Sequence, residues 1–301
     1  MLVENLLLIA ICLAIGVILR ISRRVGDDVA HALNAYVIHV ALPAVVLHQV
    51  PAMQFTAQLL FPALLPWLLL AVSAGAVLLL ARYCQWSKAI TGALLLVVPL
   101  GNTSFLGFPL VQSFWGEAGL PVAIIYDQLG SFVALSTYGI WILSRYADCP
   151  PPTVKRVLER MVHFTPFLAL LAGLLLSQIT VPVVLDDVFK RIGATLVPVI
   201  LVAVGLQWKL DLHAELRAPL ALGLSLKLLA MPLLALALVQ VLGVHGLTAQ
   251  VSVFEAGMAS MITAGALAMN ANLAPRLAAA MVGFGIPLSL LTLTLWHSLL
   301  Q

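Results

Sequence analysis

The sequence predicts an all-α integral membrane protein of ten transmembrane helices in two inverted five-helix repeats, and three observations carry that expectation. The first is composition: 62% of the 301 residues are hydrophobic, only 9% are charged and the mean hydropathy is +1.11. A soluble domain carries roughly a quarter charged residues, and the fifteen basic and twelve acidic residues present here cannot solvate the surface of a globule of this length. The second is the set of apolar stretches long enough to cross about 30 Å of hydrocarbon as helices. The third is the placement of the basic residues between those stretches.

The stretches run from Leu2 to Leu19, His31 to Val50, Leu59 to Ala81, Ala89 to Phe114 and Leu120 to Leu143 in the first half. A polar connection, Ser144 to His163, contains a CPPP string at Cys149 to Pro152. The second half then offers Phe164 to Val181, Ile192 to Trp208, Ala218 to Leu242, Thr248 to Met269 and Leu277 to Leu300. None alternates apolar and polar residues as a barrel strand would, and helices are the other way to pair every backbone group in lipid. The expected division is residues 1–148 for the first repeat, 149–163 for a cytoplasmic connection and 164–301 for the second.

With the N-terminus outside, Arg20, Arg23, Arg24, Arg82, Lys88, Arg145, Lys155, Arg156, Arg160, Lys209, Arg217 and Arg276 all fall on the cytoplasmic side. Lys190 and Arg191 fall outside, and Lys227 lies within a span. Short cytoplasmic loops are enriched in Lys and Arg, so both termini are expected outside and the chain in the cytoplasmic membrane. Dropping one span would scramble every later loop, so this placement also supports the count of ten. Five spans per half means that two halves of like fold must lie in the membrane in opposite orientation, a repeat pattern common in secondary transporters.

Other classes receive little support. The net charge of +3 is spread without a basic run, so no nucleic-acid partner is expected. Cys12, Cys84 and Cys149 have neither metal nor redox spacing. No nucleophile motif, P-loop, dinucleotide glycine pattern or metal cluster marks an enzyme or a bound cofactor. The N-terminal run has no basic residue before it and no small-residue cleavage pattern after it, so it reads as the first span.

The polar residues inside spans point to the function. The fourth span contains VVPLGNTSFLGFPL, Val97 to Leu110, with Pro99, Gly101, Gly107 and Pro109 around Asn102, Thr103 and Ser104. Proline removes a backbone donor and clashes with the carbonyl four residues back, so the helix is expected to open near mid-membrane. The freed carbonyls and side-chain oxygens could then bind an ion or substrate; the plainer alternative is a kinked helix bonded to its neighbours. The ninth span, FEAGMASMITAGALAMN (Phe254 to Asn270), carries Glu255, Gly257, Met258 and Ser260 without a proline, so any break there must come from glycine. Asp127, Lys227 and Glu255 are ionisable and within spans. At roughly 2.5 to 3.5 kcal/mol per charge at a helix centre, they should face the protein interior. They serve either ion coupling or a structural arrangement, an ion pair of Lys227 with a carboxylate or neutralisation by protonation. His39 could relay protons, but a lone histidine in a span is more often bonded to a neighbouring helix, and Pro43, Pro198 and Pro232 are expected to kink theirs.

The string GNTSFLGFPL, Gly101 to Leu110, resembles the fourth-span signature of the auxin efflux carrier family. ALPAVVL (Ala41 to Leu47) and LKLLAMPLL (Leu226 to Leu234) are similar to that family's second-span and eighth-span segments, so the resemblance spans nearly the whole chain. It implies ten helices in two inverted repeats, broken fourth and ninth spans that cross near the substrate, and transport of organic anions such as auxin or malonate. The family's ninth span usually carries a proline where this chain has Ala259 and Ser260. Glu255 to Met258 is instead similar to the ninth-span motif of the related bile-acid sodium symporters, whose glutamate ligates sodium.

The expected function is therefore gradient-driven symport of a small carboxylate. Gly101, Asn102, Thr103, Ser104, Met258 and Ser260 would bind substrate, Asp127, Lys227 and Glu255 would couple the ion, and Pro99, Gly107, Pro109 and Gly257 would break the helices. Sodium, held by Glu255, Asn102 and Thr103, and a proton are equal alternatives as coupling ion, and a bile-acid-type sodium symporter is a variant of the same reading. A ligand sensor on the same fold would need an output module, whereas the longest loop has about twenty residues and Gln301 follows the last span directly. A channel would neither saturate nor work uphill. Lipid and the substrate are the expected partners, in a monomer or homodimer.

Overall fold

The computed structural model describes residues 2–26, 28–53, 56–147, 153, 155, 159, 161–179, 181–208 and 214–300. Arg156, Arg160, Lys209, Gln301 and the CPPP string lie outside the described residues. Within them the secondary structure is helical: α1 Leu2–Ile21, α2 Val29–Gln49, α3 Ala57–Tyr83, α4 Lys88–Val97, α5 (103–115), α6 (120–146), α7 Thr165–Leu176, α8 Val183–Gln207, α9 Arg217–Leu242, α10 Gly246–Ala256, α11 Ile262–Asn270 and α12 Pro275–Leu300. Six helical runs among the described residues are long and apolar enough to cross a membrane, and three shorter apolar helices accompany them. One of the six, Thr103–Tyr146, holds both α5 and α6 and is interrupted at Gly116, where φ is +66°.

The chain divides into two compact units, and each draws on both halves of the sequence. The first comprises Met1–Thr56, Ser104–Ile124 and Leu158–Trp208, the second Ala57–Thr103, Ile125–Val157 and Lys209–Gln301. In the first unit α1 and α8 approach closely because Gly16 and Gly205 face each other. A Cβ at Gly16 would sit 2.8 Å from the Gly205 Cα and against the Val202 carbonyl. Small residues at such a crossing let backbones meet where lipid supplies no hydrophobic drive. Polar side chains in this unit find one another: Tyr36 Oη lies 2.8 Å from Thr195 Oγ1 and His39 Nδ1 2.6 Å from Thr165 Oγ1. The bond His39 makes is the interhelical one its sequence position suggested. His48 Nδ1 lies 2.6 Å from Asp186 Oδ1, and Lys190 Nζ 3.5 Å from Glu117 Oε1.

The second unit holds an apolar core in which Leu94, Leu96, Val97, Leu277 and Met281 are fully buried. The helices of both units are not uniform. Five π-helical turns occur among the described residues, at Val37–Ala41, Thr103–Gly107, Tyr126–Ser131, Leu135–Gly139 and Leu226–Ala230. Three of them end two residues before a proline, at Pro43, Pro109 and Pro232. A wider turn relieves the clash between the proline ring and the carbonyl four residues back, so these helices continue where proline would otherwise break or kink them.

Candidate functional site in the second unit

The site is built on two helix interruptions. α4, capped by Ser87 Oγ accepting from the Ile90 N–H at 3.3 Å, ends at Val97, and residues 98–102 leave the helix before α5 resumes at Thr103. Pro99 stands inside this gap. Gly107 and Pro109 do not break the chain: Gly107 has helical angles, and the π-helical turn Thr103–Gly107 runs on into Phe108–Trp115 past Pro109. The opening thus spans residues 98–102, with Asn102 at its end, and is not bracketed by both prolines. α10 ends at Ala256 and α11 starts at Ile262. This second break needs no proline. A Cβ at Gly257 would come within 3.1 Å of Leu293 Cδ2 and 3.4 Å of the Phe254 carbonyl, so glycine fits best where the chain leaves the helix.

Broken helices in an apolar unit leave backbone groups that must be paired. Here the two breaks pair with each other. Gly101 and Ser260 form an antiparallel bridge, with the Asn102 N–H donating to the Ala259 carbonyl at 2.8 Å and the Met261 N–H to the Leu100 carbonyl at 2.9 Å. Each interruption therefore supplies what the other lacks. The pairing runs through backbone atoms of Ala259 and Met261 on either side of Ser260, so it needs no proline at these positions.

Around this bridge lies a cavity lined by Ser73, Gly101, Thr103, Tyr126, Lys227 and Glu255 among others. Its volume of about 10 Å3 admits one water or one bare cation, so an organic anion enters only if the site opens. Lys227 belongs to the π-helical turn Leu226–Ala230, and its Nζ stands 3.0 Å from where a Cβ on Gly101 would be. Only glycine leaves the ammonium that room. Asp127, in the π-helical turn Tyr126–Ser131, accepts from Thr103 Oγ1 at 2.5 Å and from Gln128 Nε2 at 2.8 Å. Wide turns often mark functional positions because they re-aim one side chain without ending the helix.

Several buried polar atoms here have no hydrogen-bond partner among the described residues: both carboxylate oxygens of Glu255, Asn102 Nδ2, Ser260 Oγ and Ser252 Oγ. Glu255 is fully buried and Lys227 is 4% exposed, yet no ion pair within 4 Å joins them. The structural ion pair weighed from the sequence is therefore not made. A buried carboxylate without a bond is costly, and such cost is retained in membrane proteins where a group serves transport. The orphaned atoms divide by chemistry. Asn102 Nδ2 donates and, with the Lys227 ammonium on the cavity wall, suits an anion, while the Glu255 oxygens accept and suit a proton or cation.

Of the residues the sequence singled out, Gly101, Thr103, Lys227 and Glu255 line the cavity, Asn102 and Ser260 sit on the bridge, and Asp127 is tied to Thr103. Met258 is buried in the second break but does not line the cavity, and Ser104 belongs to the first unit. Sequence reasoning passed over Ser73 and Tyr126. Tyr126 adjoins Asp127, but nothing in AVSAGAV (Ala71 to Val77) sets Ser73 apart from a small packing residue.

A polytopic helical membrane protein with paired helix breaks around a charged interior cavity has the parts of a carrier. Comparison with known proteins agrees: the family of membrane transport proteins matches residues 1–297. The chain belongs to that family, the auxin efflux carrier group to which its fourth span pointed. It is 28% identical to an uncharacterised transporter of Methanothermobacter thermautotrophicus, over 99% of this chain and 98% of that protein. An uncharacterised transporter of Methanocaldococcus jannaschii is 25% identical over 97% of each chain. The protein is a multi-pass membrane transporter.

Proposed function

We propose that this transporter is a secondary carrier of a small organic anion, driven by a proton gradient through Glu255. The observation that carries the reading is the split among the polar groups: the unpaired Asn102 Nδ2 and the cavity-lining Lys227 ammonium donate and suit a carboxylate, and the unpaired Glu255 oxygens accept and suit the coupling ion. A proton is favoured over sodium because the Lys227 ammonium already places a positive charge on the cavity. Sodium is the second reading, favoured by the two free Glu255 oxygens; Thr103, already bonded to Asp127, would complete its shell only in part.

In this reading the protein crosses the cytoplasmic membrane ten times with both termini outside, in two inverted repeats. The make-up of the compact units supports the repeat. Spans one and two group with six and seven, and most of spans three to five with eight to ten, as matching members of two like halves would. Purified protein in liposomes should accumulate labelled malonate under an imposed pH gradient, and Asn102→Ala should reduce uptake to background. Unaltered uptake in Asn102→Ala would overturn the site. Replacing sodium by choline at fixed pH separates the ions, because stalled uptake would replace the proton by sodium.

A further inference from the structure

Lys227 sits in a π-helical turn, Leu226–Ala230, closed by the Met231 N–H donating to the Leu226 carbonyl. Pro232 has no N–H, so the carbonyl four residues earlier, that of Leu228, loses its α-helical donor. In an apolar span an unpaired carbonyl is costly, and it adjoins the residue that carries the ammonium. The Trp296 indole answers it: Nε1–H donates to the Leu228 carbonyl at 3.0 Å, from a side chain only 8% exposed. Buried Trp needs a partner for this N–H, so one bond satisfies two groups.

The same face of α12 touches the second break. Gly285, Leu293 and Trp296 follow one another at helical spacing. A Cβ at Gly285 would lie 3.7 Å from the Ser260 nitrogen, and one at Gly257 would lie 3.1 Å from Leu293 Cδ2. α12 thus backs the break in the ninth span and the turn that bears Lys227.

We propose that Trp296 is a positioning residue: its indole N–H holds the Leu228 carbonyl that Pro232 leaves free, keeping the turn that directs Lys227 into the cavity beside Gly101. The inference rests on the reading that Lys227 serves transport, but the geometry can be tested apart from it. In full-length protein with Cys12, Cys84 and Cys149 replaced by serine, Lys227→Cys reports its own surroundings through its rate of reaction with N-ethylmaleimide. Adding Trp296→Phe, which keeps an aromatic ring and removes the donor, should change that rate about tenfold, the scale of one lost bond to a buried carbonyl. Adding Pro232→Ala to this variant returns a backbone N–H to Leu228 and should restore the rate. A role in packing alone predicts no such rescue.

In the lysine-bearing protein, Trp296→Phe should raise the KM for malonate about tenfold with kcat little changed, and Pro232→Ala should again reverse the effect. A labelling rate indifferent to Trp296→Phe, or a change that Pro232→Ala leaves in place, overturns the proposal. Altered and rescued labelling with unaltered transport upholds the positioning and overturns the use of Lys227 in transport. If Trp296→Phe alone does not accumulate, the double variant decides: folded protein with wild-type KM supports the proposal, and loss of the protein in both overturns it.

Discussion

The two compact units treat buried polarity in opposite ways. In the first, Tyr36 meets Thr195, His39 meets Thr165, and His48 meets Asp186. Asn34 Oδ1 is the one buried side-chain atom without a partner among its described residues. In the second, Glu255, Asn102, Gln128, Ser136, Ser252 and Ser260 each leave an atom unpaired, and most stand by the paired breaks. Paired polar groups hold helices together, whereas unpaired ones are held ready for something that arrives. The contrast implies that substitutions in the first unit change stability and those in the second change transport.

The largest effect should come from the α1–α8 crossing. Gly205→Leu drives a side chain into the Leu13 carbonyl and the Gly16 Cα, and should cost about 3 kcal/mol of stability, read as an early thermal transition in detergent. Protein that retained its transition but lost uptake would break the contrast. Glu255→Gln should lower proton-driven uptake about 100-fold, equivalent to about 2.7 kcal/mol, with thermal stability kept or raised because a buried charge is removed. Uptake at wild-type rates would remove Glu255 from coupling.

Gly101→Ala meets the far end of a flexible side chain, so the fold should tolerate it while the Lys227 ammonium is displaced. Malonate KM should rise about tenfold with an unchanged melting curve. A lowered melting temperature with unchanged KM would make Gly101 a packing residue. The smallest effect belongs to His48→Ala. Its partner Asp186 has a side chain 42% exposed, so the loss should stay below about 1 kcal/mol and leave KM alone.

Much of the site was legible because charge and proline are conspicuous in apolar spans. Asp127, Lys227 and Glu255 announced themselves by cost, and Asn102 and Thr103 by the prolines nearby. The same signal misplaced the opening: Pro109 implied a break, but the π-helical turn before it keeps the helix running. Proline reports a missing donor, and whether the chain breaks or widens depends on which neighbours can satisfy the freed carbonyl. The break between α10 and α11 was fainter because no proline marks it, and what favours glycine at position 257 is the nearness of Leu293, 36 residues away. Ser73 and Trp296 carried no signal at all, since a small residue or a buried aromatic in a span looks the same whether it packs or positions.

The sequence by itself determined the solvent, the helical class and which residues could not face lipid. These follow from transfer free energies and backbone pairing, which are local properties of the chain. Only the tertiary structure decided that the two breaks pair through Gly101 and Ser260, that Lys227 and Glu255 share a cavity without an ion pair, and that the Leu228 carbonyl is held by an indole from α12. Each of these joins residues distant in the chain, and a hydrogen bond between distant partners leaves no mark on either one's local composition.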